Sequence, residues 1–251
     1  MKVIFLDIDG VLNSKYFFIL APDGRISYGD KRTLLDKRKI AILNRIIEET
    51  GAVCVLSSSW RTLNPADKML AMLKDRGFVG EVIDRTPTNA TRGLEIRDWL
   101  VENEDVEQFV ILDDSNDMEP YLNRLVRPYW NYGLSDEHAD VAIKILNEGP
   151  SKSKMYILVK EDVPLGFAMT AVSHASLAMW MKFERLEGVS YWLSSFRKVV
   201  CKVNEKEFEN AKSVKKKVVI TESALGDAEV AIAFSPREEW PKMFKFFRLY
   251  K

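Results

Sequence analysis

The chain contains 251 residues, of which 47% are hydrophobic and 29% charged, and its formal net charge is zero. These values are ordinary for a soluble globular protein whose core needs no disulfide or structural metal to fold. No apolar run is long enough to span a bilayer and no signal-peptide pattern is present, so we expect a cytoplasmic protein without membrane contact. Cys54 and Cys201 lie in separate strand-like runs, which favours buried thiols over a disulfide or a metal site.

Charge is divided unevenly along the chain. Residues 1–150 contain 19 Lys and Arg against 25 Asp and Glu, a balance of −6, whereas residues 151–251 contain 18 against 12, a balance of +6. This difference predicts two domains with different roles. The Gly-Pro-Ser-rich stretch at 149–153 is the expected linker, so we place the domains at 1–148 and 154–251.

The first domain is predicted to alternate strands with helices. Continuously apolar runs predict buried strands at 2–7, 52–57, 79–84 and 108–112. Apolar spacing and capping residues predict helices at 37–50 (ended by Gly51), at 64–76 (started by Asn64 and Pro65), after Thr91, and from Ser135 to Gly149. Residues 13–36 are expected to be irregular. The pattern predicts an α/β fold with a Rossmann-like doubly wound parallel sheet.

The second domain is predicted to be a smaller α/β unit. Strands are expected at 154–160, 197–203, 217–221 and 228–234, and a long helix at 167–187. A capping-box pattern at Asn204 and Glu207 predicts a short helix, and a similar pattern at Ser235 predicts a final helix.

Polar clusters follow three predicted strands of the first domain. Asp7 and Asp9 follow the first strand, serines follow the second, and the segment "DDSND" at 113–117 follows the last. The carboxyl ends of parallel strands lie at one sheet edge, so we expect these clusters to meet. Closely spaced carboxylates repel each other, and a bound Mg²⁺ removes that repulsion and prefers oxygen ligands. The alternative is that Asp-x-Asp-Gly is only a turn sequence.

Serines and an arginine accompany these carboxylates. The hydroxyls of "LSSSW" suit a phosphoryl group, and Arg92 stands at a predicted helix start, where a cation can neutralise phosphate. Each feature also has an ordinary explanation, since serines cap helices, arginines lie on solvated faces and acidic loops form turns. Their coincidence at one sheet edge favours a phosphate site.

Four motifs carry a family resemblance. "FLDIDGVLN" (5–13), "VLSSSWR" (55–61), "TRGLEI" (91–96) and "ILDDSNDM" (111–118) resemble, in order, the motifs of the haloacid dehalogenase-like phosphohydrolase superfamily. The combination of "SSSWR" with "RGLEI" is similar to the branch attached to RNA-repair enzymes. The resemblance covers about residues 1–148 and implies a phosphoric monoester hydrolase.

The resemblance assigns roles to the residues of these motifs. It implies that Asp7 attacks phosphorus to form an aspartyl-phosphate, and that Asp9 acts as general acid and then general base. Ser57 is expected to hydrogen-bond the phosphoryl oxygens, and Ser58 and Arg61 are expected to bind substrate. Arg92 is expected to stabilise negative charge.

Two assignments remain open at this point. Arg61 stands beside the serine motif and could share or replace the role of Arg92. The implied Mg²⁺ lies between Asp7, the carbonyl of Asp9 and a carboxylate of the "DDSND" cluster, whose candidates are Asp113, Asp114 and Asp117.

Small insertions indicate an open site. In this superfamily, insertions after the first motif or between the second and third form lids over small substrates. Here the first insertion spans only residues 13–36 and none of comparable size follows residue 61. A minimal cap favours a macromolecular end, so we expect a phosphorylated substrate such as an RNA terminus or a nucleotide; the sequence leaves the oligomeric state open.

Residues 154–251 resemble the peptidyl-tRNA hydrolase family of archaea and eukaryotes. The resemblance rests on "MYILV", on "GFAMTAVSHASLA" and on the βαβαββα order. Phe167 replaces the family's lysine and Ala171 its glutamine, which argues against ester hydrolysis. His174 is expected to be a core residue, and the stripe of Met169, Met179, Trp180 and Met181 is expected to be packing.

Two alternative functions follow from this second resemblance. The chain could be an RNA- or tRNA-binding module with a vestigial phosphatase site, or its second domain could keep residual peptidyl-tRNA hydrolase activity. The "KSVKKK" run at 212–217 is expected to be a solvated turn, with a phosphate-contacting patch as the alternative.

Overall fold

The chain forms two compact units, Met1–Pro150 and Ser151–Lys251. The structure is a computed structural model and describes residues 1–20, 34–62, 64–184, 186 and 188–251. Of the predicted irregular excursion at 13–36, residues 21–33 lie outside the described residues, and residues 15–20 form a short helix instead. Among the described residues, no helix combines the length and apolar character that a membrane span requires.

The first unit is built on a five-stranded parallel sheet. Its strands are β1 (Lys2–Leu6), β2 (Val53–Leu56), β3 (Val82–Arg85), β4 (Gln108–Leu112) and β5 (Leu125–Val126), in the order β3-β2-β1-β4-β5. All neighbouring pairs are parallel. The predicted α/β fold with a Rossmann-like parallel sheet, accompanied by a second, smaller α/β unit, is therefore confirmed.

Helices connect these strands. They are α1 (Lys15–Leu20), α2 (Lys37–Thr50), α3 (Ala66–Lys74), α4 (Arg92–Glu102) and α5 (Asp136–Glu148). As predicted, Gly51 ends α2 in the left-handed conformation, with φ 68°, and Thr91 caps α4 by accepting a hydrogen bond from the Leu94 N–H. The predicted start of α3 is one residue too early. Pro65, not Asn64, holds the N-cap position, and the Asn64 side chain instead donates to the Trp60 carbonyl.

Strand β1 lies in the centre of the sheet. Its side chains from Val3 to Leu6 have 0% exposure, and the Phe5 ring meets the rings of Trp99 and Phe109 edge to face, with centroids 5.4 and 5.6 Å apart. Each such aromatic pair contributes about 0.5–1.5 kcal/mol beyond the buried area. The first polar side chain after this apolar run belongs to Asp7, so a strand packed on both faces positions that carboxylate.

The second unit contains a mixed sheet. Its strands are β6 (Met155–Lys160), β7 (Lys198–Val203), β8 (Lys217–Glu222), β9 (Ala228–Phe234) and β10 (Arg248–Leu249), in the order β10-β7-β6-β9-β8. Among the described strands of this unit, β6 and β7 pair in parallel and the other neighbouring pairs are antiparallel. The helices of this unit are α6 (Leu165–Phe183), α7 (Val189–Trp192) and α8 (Glu205–Ala211), and α8 begins with the predicted capping box.

The predicted final helix from Ser235 is wrong. The segment instead forms a short 3-10 helix, Lys242–Lys245, followed by β10. Trp240 and Phe244 pack on Tyr156 of the sheet, with ring centroids 4.6 and 5.1 Å apart. These tertiary contacts override the local capping pattern.

For α6, the prediction for His174 is wrong and the prediction for the Met and Trp stripe is confirmed only in part. His174 is exposed rather than part of the core. Of the stripe expected to be packing, Met179 is fully buried, but Met169 and Met181 are 67% and 70% exposed. The stripe therefore spans both the inner and the outer surface of the helix.

Candidate active site

The sheet brings the polar clusters of β1, β2 and β4 to one edge. The ladder hydrogen bonds continue past the strands, since the Asp7 N–H donates to the Leu112 carbonyl and the Ser57 N–H to the Leu6 carbonyl, both at 2.9 Å. The side chains of Asp7, Ser57 and Asp113 are all buried. The positions of these three side chains therefore follow from backbone pairing and do not depend on contacts among the side chains.

Three carboxylates form a cluster that could hold a metal ion. One oxygen each from Asp7, Asp113 and Asp114 lies within 4.8 Å of the others. Gly10 permits this approach: its φ is +75°, and a Cβ there would lie 2.4 Å from Asp114 Cγ. A side chain at residue 10 would therefore displace Asp114.

Burial makes this cluster electrostatically unfavourable without a cation. Burial raises the pKa of Asp7 to about 6, against the opposing effects of Arg92 and a hydrogen bond from Ser58. Burial and the charge of Asp7 raise the pKa of Asp113 to about 7, and burial also raises the pKa of Asp114. Among the described residues Asp113 Oδ2 has no hydrogen-bond partner. Hard oxygen donors with raised pKa values fit a divalent cation such as Mg²⁺.

Asp117, the third candidate ligand from "DDSND", takes a different position. Its carboxylate accepts hydrogen bonds from Ser115 Oγ at 2.6 Å and from the Arg92 backbone N–H at 3.2 Å. Burial acts to raise its pKa, but these hydrogen bonds outweigh burial and hold the pKa of Asp117 below its usual value. Asp117 thus binds the first turn of α4, whereas Asp113 and Asp114 lie with Asp7.

Arg92 lies against the carboxylates. Its Nη1 is 3.5 Å from Asp7 Oδ1 and 3.3 Å from Asp113 Oδ2. Close packing of α4 fixes this position, because a Cβ on Gly93 would lie 2.1 Å from the Glu119 carbonyl oxygen. Arg92 therefore supplies a positive charge to the cluster from the start of a capped helix.

Arg61 points to a different partner. Its Nη2 lies 2.5 Å from Glu95 Oε1, and its Nη1 donates to the Ser58 carbonyl at 2.8 Å. The other Glu95 oxygen is 3.5 Å from Arg92 Nε. Glu95 therefore lies between two arginines, and of these it is Arg92 that reaches Asp7.

Two hydrogen bonds hold the carboxylate of Asp9. Asn13 Nδ2 donates to Oδ1 at 2.8 Å, and Trp60 Nε1 donates to Oδ2 at 2.9 Å. Asn13 is itself oriented by the Gly10 N–H, which donates to Asn13 Oδ1 at 3.0 Å. The second carboxylate of the first motif is thus positioned by one residue from its own loop and one from the serine motif.

Residues 3–139 match a family described as the HAD domain in Swiss Army Knife RNA repair proteins. The chain belongs to this family. No match was found among the curated proteins. Membership of this HAD family implies a hydrolase or phosphatase-type role in RNA repair. The matched region ends before the second unit, so the peptidyl-tRNA hydrolase-like character of residues 154–251 stays a prediction.

Several side chains around the HAD site were missed by the sequence analysis. Asn13 and Trp60 hold Asp9, and Glu95 joins Arg61 to Arg92. All three residues lie inside the motifs that carry the resemblance, and Glu95 also stands one helical turn after Arg92, a spacing that permits their contact.

The two serines of the HAD site are fully buried. Among the described residues, Ser57 Oγ has no hydrogen-bond partner. Ser58 hydrogen-bonds Asp7, and its Oγ accepts from the Trp60 N–H at 3.4 Å. A buried hydroxyl without a partner is free to donate to a bound oxyanion, so Ser57 is the serine suited to a phosphoryl group.

Proposed function

We propose that the chain is a Mg²⁺-dependent phosphatase that removes a terminal phosphate from RNA or a nucleotide through an aspartyl-phosphate on Asp7. The observation that carries this proposal is the position of Arg92 against both Asp7 and Asp113, beside the carboxylate of Asp114. This arrangement places a candidate nucleophile, an oxyanion-stabilising cation and a metal-binding set at one sheet edge. The family's role in RNA repair supports the substrate class.

Asp7, Asp113 and Asp114 would hold the metal ion. When bound, Mg²⁺ would neutralise charge on the phosphoryl oxygens and on the buried carboxylates. The fit rests on the donor chemistry of the cluster, its raised pKa values and Asp113 Oδ2, which among the described residues has the Arg92 guanidinium at 3.3 Å but no hydrogen-bond partner. In this proposal Asp117 is a structural residue of α4 rather than a ligand.

The proposed reaction has two steps. An oxygen of ionised Asp7 attacks phosphorus, the bond from phosphorus to the leaving oxygen breaks, and Asp9 gives its proton to that oxygen. Asp9 then takes a proton from a water molecule that attacks the aspartyl-phosphate, which releases inorganic phosphate and restores Asp7. The hydrogen bonds from Asn13 and Trp60 hold Asp9 in position for both proton transfers.

Arg92 and Ser57 stabilise the transferred group. Charge spreads over the phosphoryl oxygens in such transfers, so catalysis depends on positioned cations and hydrogen-bond donors. Arg92 supplies the cation and Ser57 a buried hydroxyl. Arg61 acts indirectly, because its guanidinium is bound to Glu95. We further propose that residues 154–251, with a charge balance of +6, help to present the RNA.

The test is the release of p-nitrophenol from p-nitrophenyl phosphate by the full chain with Mg²⁺. Asp7→Asn should abolish turnover, EDTA should do the same, and Asp67→Asn, an exposed carboxylate of α3, should leave turnover unchanged. Wild-type turnover in Asp7→Asn would refute the mechanism. No turnover of any phosphate ester, together with salt-sensitive tRNA binding, would favour the vestigial-site alternative.

A further inference from the structure

A group of aromatic side chains is exposed on the first unit. This aromatic rim consists of the exposed residues Tyr16, Tyr129, Trp130 and Tyr132 and the half-buried Phe18. Tyr129 and Tyr132 are 72% and 61% exposed, and Tyr16 and Trp130 are each 42% exposed. The phosphatase chemistry proposed above uses none of them. Clustered exposed aromatic rings on a globular surface indicate an interaction site.

Backbone and ring contacts fix the rim as one surface. The Lys15 N–H donates to the Trp130 carbonyl at 3.0 Å, and the Tyr16 N–H to the Asn131 carbonyl at 3.1 Å. The rings of Tyr16 and Tyr132 have centroids 5.2 Å apart, tilted by 39°. Two backbone hydrogen bonds and a ring contact therefore join α1 to the segment after β5.

The rim is joined directly to the candidate active site. The segment 127–134 contacts it at both ends: Arg127 Nε donates to the Asp114 carbonyl at 2.8 Å, and the Leu134 N–H donates to the Val11 carbonyl at 3.0 Å. Gly133, with φ +69°, packs so closely on the Asn13 carbonyl that a Cβ would lie 2.9 Å from it. The rim thus begins beside the loop that carries Asp9.

Cations accompany the aromatic rings. Lys15 and Arg127 are exposed on the rim segments, and Lys39 Nζ donates to the Leu134 carbonyl at 2.7 Å. These positive charges lie on the part of the chain whose overall balance is −6. Exposed rings interleaved with cations are the combination that binds single-stranded nucleic acid, since bases stack on the rings and phosphates contact the cations.

We propose that the aromatic rim stacks the unpaired bases of a single-stranded RNA whose terminal phosphate enters the Asp7 site. The inference rests on the proposed phosphatase function and narrows its substrate to a single strand several nucleotides long. A mononucleotide reaches the phosphate site but leaves most of the rim empty. Each stacked base should raise the apparent affinity roughly tenfold.

The test compares substrates of different length in the full chain. The specificity constant kcat/KM is measured for p-nitrophenyl phosphate and for 5′- and 3′-phosphorylated single-stranded RNA of one, two and eight nucleotides. The same measurements are made on the double variant Tyr129→Ala/Tyr132→Ala, which removes two rings of the rim. Val101→Ala, which truncates an apolar residue of α4 with 69% exposure outside the rim, is the matched control.

We expect kcat/KM of the wild type to rise with RNA length. The double variant should lower kcat/KM for the octanucleotide by about tenfold or more, through KM, and leave p-nitrophenyl phosphate within about twofold. An unchanged octanucleotide value, or an equal fall for both substrates, would overturn the inference. So would a phosphopeptide that is a better substrate than the octanucleotide and loses as much in the double variant.

A binding measurement distinguishes failure of this inference from failure of the proposed function. If the wild type hydrolyses no phosphate ester, the proposed function fails, and fluorescence anisotropy of a labelled octanucleotide still tests the rim. Weaker binding by the double variant than by wild type and Val101→Ala would support the rim as an RNA-binding surface. Equal binding by all three chains would refute it.

Discussion

Removal of divalent cations should make the stability of the first unit strongly dependent on pH. Burial raises the pKa of Asp7 from 3.8 to about 6 and that of Asp113 from 3.8 to about 7. Both groups hold a proton more tightly in the folded than in the unfolded chain, so the stability they contribute below the unfolded pKa is lost as pH rises through 6 and 7.

The size of this loss follows from the shifts. One pKa unit corresponds to about 1.4 kcal/mol, so the shift of Asp113 from 3.8 to about 7 corresponds to about 4 kcal/mol. The charge of Asp7 contributes to that shift, so ionisation of one carboxyl opposes ionisation of the other and the two shifts do not simply add. We therefore expect the free energy of unfolding to fall by about 4 kcal/mol between pH 4 and pH 8 in EDTA, rather than by the sum of both shifts. For a chain of this size, that loss lowers the Tm by roughly 10 °C.

Thermal denaturation in EDTA, measured across this pH range, is the assay. Asp113→Asn lacks one buried carboxyl group, so its stability should fall less than that of wild type as pH rises. The difference between the two pH profiles gives the contribution of Asp7 and Asp113 apart from other titrating groups. Asp67→Asn, exposed on α3, should follow wild type. Mg²⁺ at pH 8 should restore the wild type and change Asp113→Asn little. Parallel pH profiles for wild type and Asp113→Asn would refute the reasoning.

Two further variants test the supports of the site. Trp60→Phe removes the hydrogen bond to Asp9 Oδ2 and should lower kcat on p-nitrophenyl phosphate by roughly tenfold or more, with KM nearly unchanged; an unchanged kcat would show that Asp9 needs no such support. Glu95→Gln removes the charge that faces two arginines and should lower the free energy of unfolding by about 3 kcal/mol in urea titrations, whereas Glu49→Gln, in an exposed pair, should cost less than about 1 kcal/mol.

The central part of the fold could be predicted from local sequence patterns. The apolar run of β1 and the helical spacing of α2, ended by Gly51, are signals that depend only on neighbouring residues. β5 was missed because two residues are too short to carry a pattern. The helix predicted from Ser235 had a valid local signal, but ring packing of Trp240 on the sheet decided the outcome.

The site could be predicted in part for a similar reason. The carboxyl ends of parallel strands lie at one sheet edge, so the strand assignment places Asp7 and Asp113 at the same edge. Their proximity also requires that β1 lies beside β4, which the strand assignment does not give. The sequence could not distinguish Arg61 from Arg92, because both stand beside a motif. Their difference arises from the buried position of Glu95, which binds one guanidinium closely and faces the other.

The register of the central strands has a consequence for folding. Leu6 pairs with Leu56 on one side and with Leu112 on the other, so each site residue directly follows a paired position. A slip of one residue between β1 and β4 would turn Asp113 to the opposite face of the sheet and separate it from Asp7. Catalytic turnover would then depend on the correct alignment of β1 and β4. A population with this slipped register would have normal helix content but would be inactive.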